Sequence, residues 1–447
     1  MTDFVENGKS ILPSAFYLDK CQITTNAGTE FDIRDIIKKI DITESLYRSS
    51  LEYELYVLDG SNTLELLKIS GNEKIDIAFS RKSLDGNTQH YRKEIYIAEI
   101  HSFSKSAPGQ STYALRCVSK HAYMNQLKTV CRSFEGAIGP VVKQICIDDL
   151  GILEKELTIN TDTTDSIKGI IPKFRPLYAI AWLTKNAFDN STPFYFYETL
   201  KSGVVFDSYE NMIQKDSHDK YFHRPFTKEV PGSDSKYEVD RVKIRKLSSD
   251  YGMSKYIQSS EGAYASTLHT IDIANKQYST PTYNYNGNQK LNKNNPFSKS
   301  VKFDDRNIEE YSNSKSYFVS LNSKSFEGFS NYHTPSNPAM LKAGAYISNL
   351  DTMTVTIDIA GDFELSVGDK IELDVTRIEA QKTAKDKLVS GYYIVTSIAH
   401  KFGNEYIMSC QIKKDSFICD LDDIYKAEGK WIILINLWVV VLLGSPE

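Results

Sequence analysis

Apolar and polar residues alternate through the first 120 positions. Leu51, Tyr53, Leu55 and Val57 alternate with Glu52, Glu54 and Tyr56, the period of a strand with one buried face, and Asp59-Gly60 ends the run. Lys74 to Phe79 is a second alternating run. Glu94–Phe103 and Thr112–Val118 flank Ser106-Ala-Pro-Gly-Gln110, which reads as a hairpin with a longer loop. Near Ser119 the period changes. Residues 119–130 and 135–150 read as helices, and Pro176 opens another at its favoured first position, with Leu177, Ile180, Ala181 and Phe188 at helical spacing. An aromatic hairpin follows, Pro193-Phe-Tyr-Phe-Tyr-Glu198, a turn at Lys201-Ser-Gly203, and Val204-Val-Phe-Asp207. From Gly262 the strand signal returns, with Tyr264, Ser266, Leu268 and Thr270 on one face. Ser336 is placed to cap a further helix, and Thr352–Ile359 alternates Met353, Val355, Ile357 and Ile359 with threonine and aspartate.

The two ends repeat one another. Gly71-Asn-Glu-Lys-Ile-Asp-Ile77 matches Gly368-Asp-Lys-Ile-Glu-Leu373, a glycine turn feeding a strand. His101-Ser-Phe103 then matches His400-Lys-Phe402, and Tyr113-x-x-x-Cys117-x-x-Lys120 matches Tyr406-x-x-x-Cys410-x-x-Lys413. Three elements in the same order predict two related β-barrels, with His101 and His400, and Cys117 and Cys410, at equivalent packed positions. Between residues 284 and 295 lie six asparagines, and with the Lys- and Ser-rich stretch that follows they read as an insertion. The predicted class is α+β and predominantly β, with two similar antiparallel barrels and an α+β domain between them. The predicted domains are 1–120 for the first barrel, 121–235 for the middle, and 236–285 with 336–420 for the second barrel. Residues 286–335 are the insertion and 421–447 an apolar tail.

A chain of 447 residues with 41% apolar and 25% charged residues has material for about three domains and is no disordered chain. The 28 tyrosines and 21 phenylalanines favour pleated surfaces. A net charge of −5 without a polybasic run argues against tight nucleic-acid binding and against anchoring on an anionic membrane. Six cysteines, none spaced C-x-x-C, read as reduced, mostly buried thiols of a protein assembled in a cytoplasm. Met1-Thr-Asp-Phe-Val-Glu lacks the basic region and apolar core of a signal peptide, so no secretion is expected. Trp431–Leu443 is apolar but shorter than the roughly 20 residues a spanning helix needs.

The screen for chemistry finds no phosphate loop, zinc helix, nucleophile elbow or EF-hand loop. Asp216, His218, Asp219 and His223 are the best metal candidates, yet a solvated polar loop explains them better. No catalytic, cofactor-binding or metal residue is assigned, no cofactor is expected, and the chain reads as a non-enzyme.

Three segments carry a resemblance. They are Gly361-Asp-Phe-Glu-Leu-x-x-Gly-Asp-x-Ile-x-Leu373, Ser390-Gly-Tyr-Tyr-Ile-Val-Thr-Ser-Ile-Ala-His400 and Glu405-Tyr-Ile-Met-Ser-Cys-Gln-Ile-Lys413. Together they look like the C-terminal barrel of T-even-type phage baseplate hub proteins. Ile42-Thr-Glu-Ser-Leu-Tyr47, Tyr53–Asp59, Pro176-Leu-Tyr-Ala-Ile-Ala-Trp-Leu and Phe194-Tyr-Phe-Tyr-Glu198 agree, so the similarity runs in order over residues 17–420. The asparagine-rich insertion and the tail from Trp431 depart from it.

This resemblance, which extends to the base of type VI secretion spike proteins, implies a structural protein of the virion tail, assembled in the host cytoplasm. The implied protein is a homotrimeric cylinder adapting the sixfold tail tube to the threefold membrane-puncturing spike. Its implied partners are the spike, tail tube or tube-initiator proteins, the tape measure protein and baseplate wedge proteins, with DNA passing through the channel at genome ejection. A tail-associated peptidoglycan hydrolase and a carbohydrate-binding tail adhesin are the alternatives.

Overall fold

The computed structural model describes residues 13–82, 88–107, 109–160, 166–189, 192–224, 236–250, 255–273, 275–284, 291–292, 302–321, 339–376 and 385–418. Strands predominate. The N-terminal part contributes β1 (Tyr17–Thr24), β2 (Glu30–Asp32), β3 (Ile37–Ser45), β4 (Glu52–Asp59), β5 (Lys74–Lys82), β6 (Thr88–Ala107) and β7 (Gln110–Ser119). They pair in the order β2-β1-β5-β6-β7-β4-β3. The alternation in β4 is what buries it: Tyr53, Leu55 and Val57 are at most 3% exposed, while Glu52 and Glu54 stay at the surface.

The middle region contains β8 (Val130–Ala137), β9 (Leu157–Ile159), β10 (Ser166–Phe174), β11 (Phe188–Asp189), β12 (Thr192–Thr199) and β13 (Gly203–Ser208). Where the sequence reading placed helices over 119–130 and 135–150, the structure has the helix Lys120–Leu127, then β8, then the helix Ile138–Gln144. Tertiary pairing explains the difference, because β8 is paired with β10 from Val130 to Ala137. The helix from Pro176 runs as expected, to Thr184.

The β12–β13 hairpin is buried on both faces. Tyr195, Tyr197 and Val205 enter the large core of the main sheet, while Phe194, Phe196, Val204 and Phe206 pack in a second core with Val142, Ile145 and Leu183. Alternation normally divides a strand between core and water; here it divides the hairpin between two cores. Each large side chain so buried contributes about 1.5–3 kcal/mol by burial alone.

The C-terminal part adds β14 (Lys220–His223) and β15 (Lys246–Asp250) to the main sheet. A separate small sheet holds β16 (Ala265–Asp272), β17 (Gln277–Ser279) and β18 (Thr282–Asn284), followed by the two-stranded ribbon β19 (Lys302–Phe303) and β20 (Arg306–Asn307). Next come β21 (Ser316–Leu321), β22 (Met353–Ala360), β23 (Lys370–Val375), β24 (Gly391–Phe402) and β25 (Tyr406–Lys414). The main sheet continues from β3 through β24, β25 and β22 to β15, and β23 pairs with both β24 and β14. A bridge between Phe222 and Lys243 links β14 to the segment that enters β15.

Two sequence expectations differ from this arrangement. Residues 265–284 were expected inside the second barrel, yet β16 to β18 lie outside the main sheet. The stretch 286–335 was expected to be an insertion, yet β21 pairs in parallel with β16 from Thr267 to Asp272. Composition sees only the polar, asparagine-rich flanks; the strand inside them is stabilised by a partner some 50 residues away in sequence, as the pairing Thr267↔Ser316 shows. The tail 421–447 lies outside the described residues.

Candidate functional site

The site with the greatest structural content is the junction where the two parts of the main sheet and the middle hairpin meet. The seam itself is antiparallel pairing of β24 with β3, from Ser397↔Ser45 to Phe402↔Ile40. On its inner side Phe79, Phe402 and Tyr406 stack, with ring centroids 4.3 Å apart at each step. Gly361 is required beside them, since a Cβ there would lie 1.9 Å from the Tyr406 ring.

Two buried carboxylates cross the junction in opposite directions. Glu44 on β3 is fully buried, and its Oε1 accepts the backbone N–H of Leu200 in the hairpin turn at 2.6 Å. Its Oε2 accepts the N–H of Val367 at 3.2 Å, and His400 Nε2 stands 3.4 Å from Oε1. Glu198 on β12 reaches back the other way. Its Oε2 accepts the N–H of Leu51 at 2.8 Å and the Ser119 hydroxyl at 2.6 Å, and Lys93 Nζ lies 3.3 Å from Oε1. Burial by itself would raise the Glu198 pKa; the charges of His121 and Lys93 with these hydrogen bonds outweigh it and hold the group below the ordinary glutamate value.

A third contact ties β5 to the far side of the seam. Arg81 donates to the carbonyl of Gly361 and, at 3.1 Å, to that of Pro13, and lies 3.5 Å from Asp362. His218 Nε2 is 3.3 Å from the other Asp362 oxygen. Burial opposes the charged forms of both groups, but their mutual attraction wins: Asp362 falls to about 2 and the His218 pKa is raised. Such contacts hold three parts of the chain in one relative position, since removing either member strands a buried charge.

The opposite face of the sheet is hydrophilic. Asp41, Glu54, Arg116 and Glu99 face one another across β3, β4, β7 and β6, and the first three line a shallow cleft with Thr43, Glu52 and His101. His101 Nε2 lies 3.1 Å from Glu54, half-exposed. Here the expectation of equivalent histidines needs correction: His101 lies on the wet face, whereas His400 is fully buried and hydrogen-bonded through Nδ1 to the Tyr406 hydroxyl at 2.8 Å. Cys117 and Cys410 are both fully buried core thiols.

The metal candidates are dispersed. His218 is spent on Asp362, Asp219 pairs with Arg241, Asp216 is exposed, and His223 lies in β14 with its pKa lowered by burial. The polar loop leads directly into a paired strand, β14 on β23, which carries His223. Among the described residues no group of three His, Cys, Asp or Glu is placed to hold a metal ion, and no helix is long and apolar enough to cross a membrane. Sequence reasoning did not find Glu44 or Glu198; a lone glutamate inside an apolar strand run, as in Phe194-Tyr-Phe-Tyr-Glu198, was the available signal.

No family model matches the chain, and no curated protein matches it in sequence. Among solved structures it is similar to the tail protein from Neisseria meningitidis MC58, with a TM-score of 0.52 and 10% identity over 89% of this chain and 96% of that one. It is similar also to the 43 kDa tail protein of prophage MuSo2 from Shewanella oneidensis, with a TM-score of 0.51 and 10% identity over 89% and 99%. The likeness to the c3393 protein of E. coli, a component of the type VI secretion system, is looser, with a TM-score of 0.43 and 7% identity over 89% and 76%. At such identities the likeness is one of fold. The chain has the fold of phage-type tail proteins, in agreement with the baseplate-hub resemblance of its motifs.

Proposed function

We propose that this chain is the non-enzymatic structural hub of a contractile phage-tail baseplate. In this reading it forms a homotrimer in the virion tail that adapts the sixfold tube to the threefold spike and leaves a channel for DNA. The observation that carries it is a repeated order of strands: β5-β6-β7-β4-β3 in the first part is matched by β23-β24-β25-β22-β15 in the second. Two such units, each a tube-type barrel, would present six near-equivalent surfaces from three chains, and closed symmetry would leave no free interface. Tail tube or tube-initiator proteins would meet that end. The unrepeated middle, about residues 121–235, would face the spike, with the tape measure and wedge proteins as further contacts.

The mixed-charge hydrophilic face of the sheet, lining the channel, would suit passage of DNA without tight binding, because affinity for a polyanion grows with each phosphate neutralised. Light scattering tests the reading. The expected mass is three times that of the 50.7 kDa chain, with the mass of the spike added when the cognate spike protein is bound. A stable monomer or dimer in the presence of the spike would overturn it, and so would cell-wall clearing in a zymogram of the purified protein.

A further inference from the structure

The small sheet of β16, β17, β18 and β21 has one covered face and one exposed face. On the covered face Leu268 and Thr270 are at most 2% exposed. The helix Ala339–Leu350 packs there, with the Tyr317 hydroxyl 3.2 Å from where a Cβ on Gly344 would stand. The other face carries His269, Ile271, Tyr278 and Phe318, brought together by the pairings His269↔Phe318 and Ile271↔Tyr278. Phe318 is 73% exposed, Tyr278 62% and Ile271 44%. The three rings form a ladder. His269 stacks on Phe318 at 4.5 Å and on Tyr278 at 6.1 Å, and its Nδ1 is hydrogen-bonded to the Tyr278 hydroxyl at 2.7 Å. Among the described residues β21 pairs with β16 alone, so its outer edge offers backbone groups to a further strand. An apolar face beside such an edge is a docking surface.

The chain itself holds a matching segment. Trp431–Leu443 has Asn436 as its one polar residue, and six of its 13 positions are Ile or Val, a make-up suited to an extended strand. The reach also fits. A Cβ built on Gly391 would lie 2.8 Å from Ile418, the last described residue before the tail, and 2.9 Å from Asn292 Oδ1, so the two meet there. Eight peptide steps join Asn292 back to Asn284 in β18, which puts it within about 28 Å of the small sheet. The residues 419–430 that precede Trp431 can span about 40 Å.

We propose that Trp431–Leu443 docks on this face of its own chain, running along β21 and stacking an indole on Phe318. Neither the segment nor the four face residues carry a carboxylate, Lys or Arg, so docking strands no such charge. It also covers a segment that would otherwise invite aggregation. A second copy fits less well, because a tether of this length makes the encounter within one chain intramolecular.

The experiment uses the full chain, with Phe318→Asp and Tyr278→Ser as variants, and reads amide hydrogen exchange together with tryptophan emission. Trp431 and Trp438 are two of the three tryptophans, and Trp182 packs in the middle region against Phe134 and Phe174. In the wild-type chain the amides of 431–443 should be protected, whatever the protein concentration. Phe318→Asp should abolish that protection, shift the emission to longer wavelength and raise its quenching by iodide, while β16 and β22 exchange as before. Tyr278→Ser should lower the protection less, and it decides the matter if Phe318→Asp unfolds the small sheet, seen as lost protection in β16. Unprotected 431–443 amides in the wild-type chain would overturn the inference, and so would protection that both variants leave unchanged. Protection appearing only as concentration rises would give the face to a second copy, and protection appearing only with phosphatidylcholine vesicles would give the segment to a membrane. Either result would overturn it too.

Discussion

His101 and His400 occupy strands of the same rank, β6 and β24, each followed by a strand bearing a buried Tyr-x-x-x-Cys. Their surroundings are nonetheless opposite. Cys117 stands opposite Ile97, and Cys410 opposite Ile398, so these pairs can be superposed. Counting from them, His101 faces Ala114, three residues before Cys117, while His400 faces Met408, two before Cys410. One residue of slip moves a side chain to the other face of a sheet. A bulge in β6 between Ile97 and Glu99 accompanies the slip. Phe103 and Phe402 follow suit, at 55% and 2% exposure. A shared triplet therefore marks a shared strand, and the bulge decides which face the triplet occupies.

The junction and the outer face make a second contrast, and mutation separates them most sharply. Glu44→Ala and Glu198→Ala each strand buried N–H donors, and Glu198→Ala also strands Lys93; each is expected to cost roughly 3–5 kcal/mol in urea unfolding. Glu52→Ala and Glu54→Ala on the solvated face should stay within about 0.5 kcal/mol. Equal costs at all four positions would erase the distinction.

The two histidines give the next largest difference. His400→Ala opens a cavity and leaves the Tyr406 hydroxyl without its partner, for about 2–4 kcal/mol. His101→Ala should fall within about 0.5 kcal/mol. A smaller effect is expected of Gly361→Ala, where the Tyr406 ring must shift to admit a methyl group, for about 1–3 kcal/mol. Gly28→Ala offers a control, since nothing lies within 4 Å and only its φ of +81° resists.

The smallest predicted effect is on pH dependence. The folded His218 pKa is raised above 6.5, so its contribution is complete below that value and fades as pH rises through the raised one. Asp362, at about 2 against an ordinary 3.8, contributes above 3.8 and loses that contribution as pH falls toward 2. In unfolding measured against pH, His218→Gln should flatten the limb above 6.5. An unchanged alkaline limb would separate His218 from the seam.

The sequence by itself determined the strands that bury one face, because a period of two leaves a local record, as in Leu51–Val57 and Met353–Ile359. It determined the helix from Pro176, the aromatic hairpin, the buried Cys117 and Cys410, and the ordered motifs that resemble a baseplate hub. Only the tertiary structure decided the rest. Whether residues 130–137 are helix or strand depended on pairing with β10, and whether Ser316–Leu321 is an excursion or a strand depended on β16. The face taken by His101 depended on a bulge. The roles of Glu44 and Glu198 depended on backbone N–H groups 156 and 147 residues away along the chain. Such partners are set by long-range packing, and a hydrogen bond to a distant backbone amide leaves no pattern in the residues that make it.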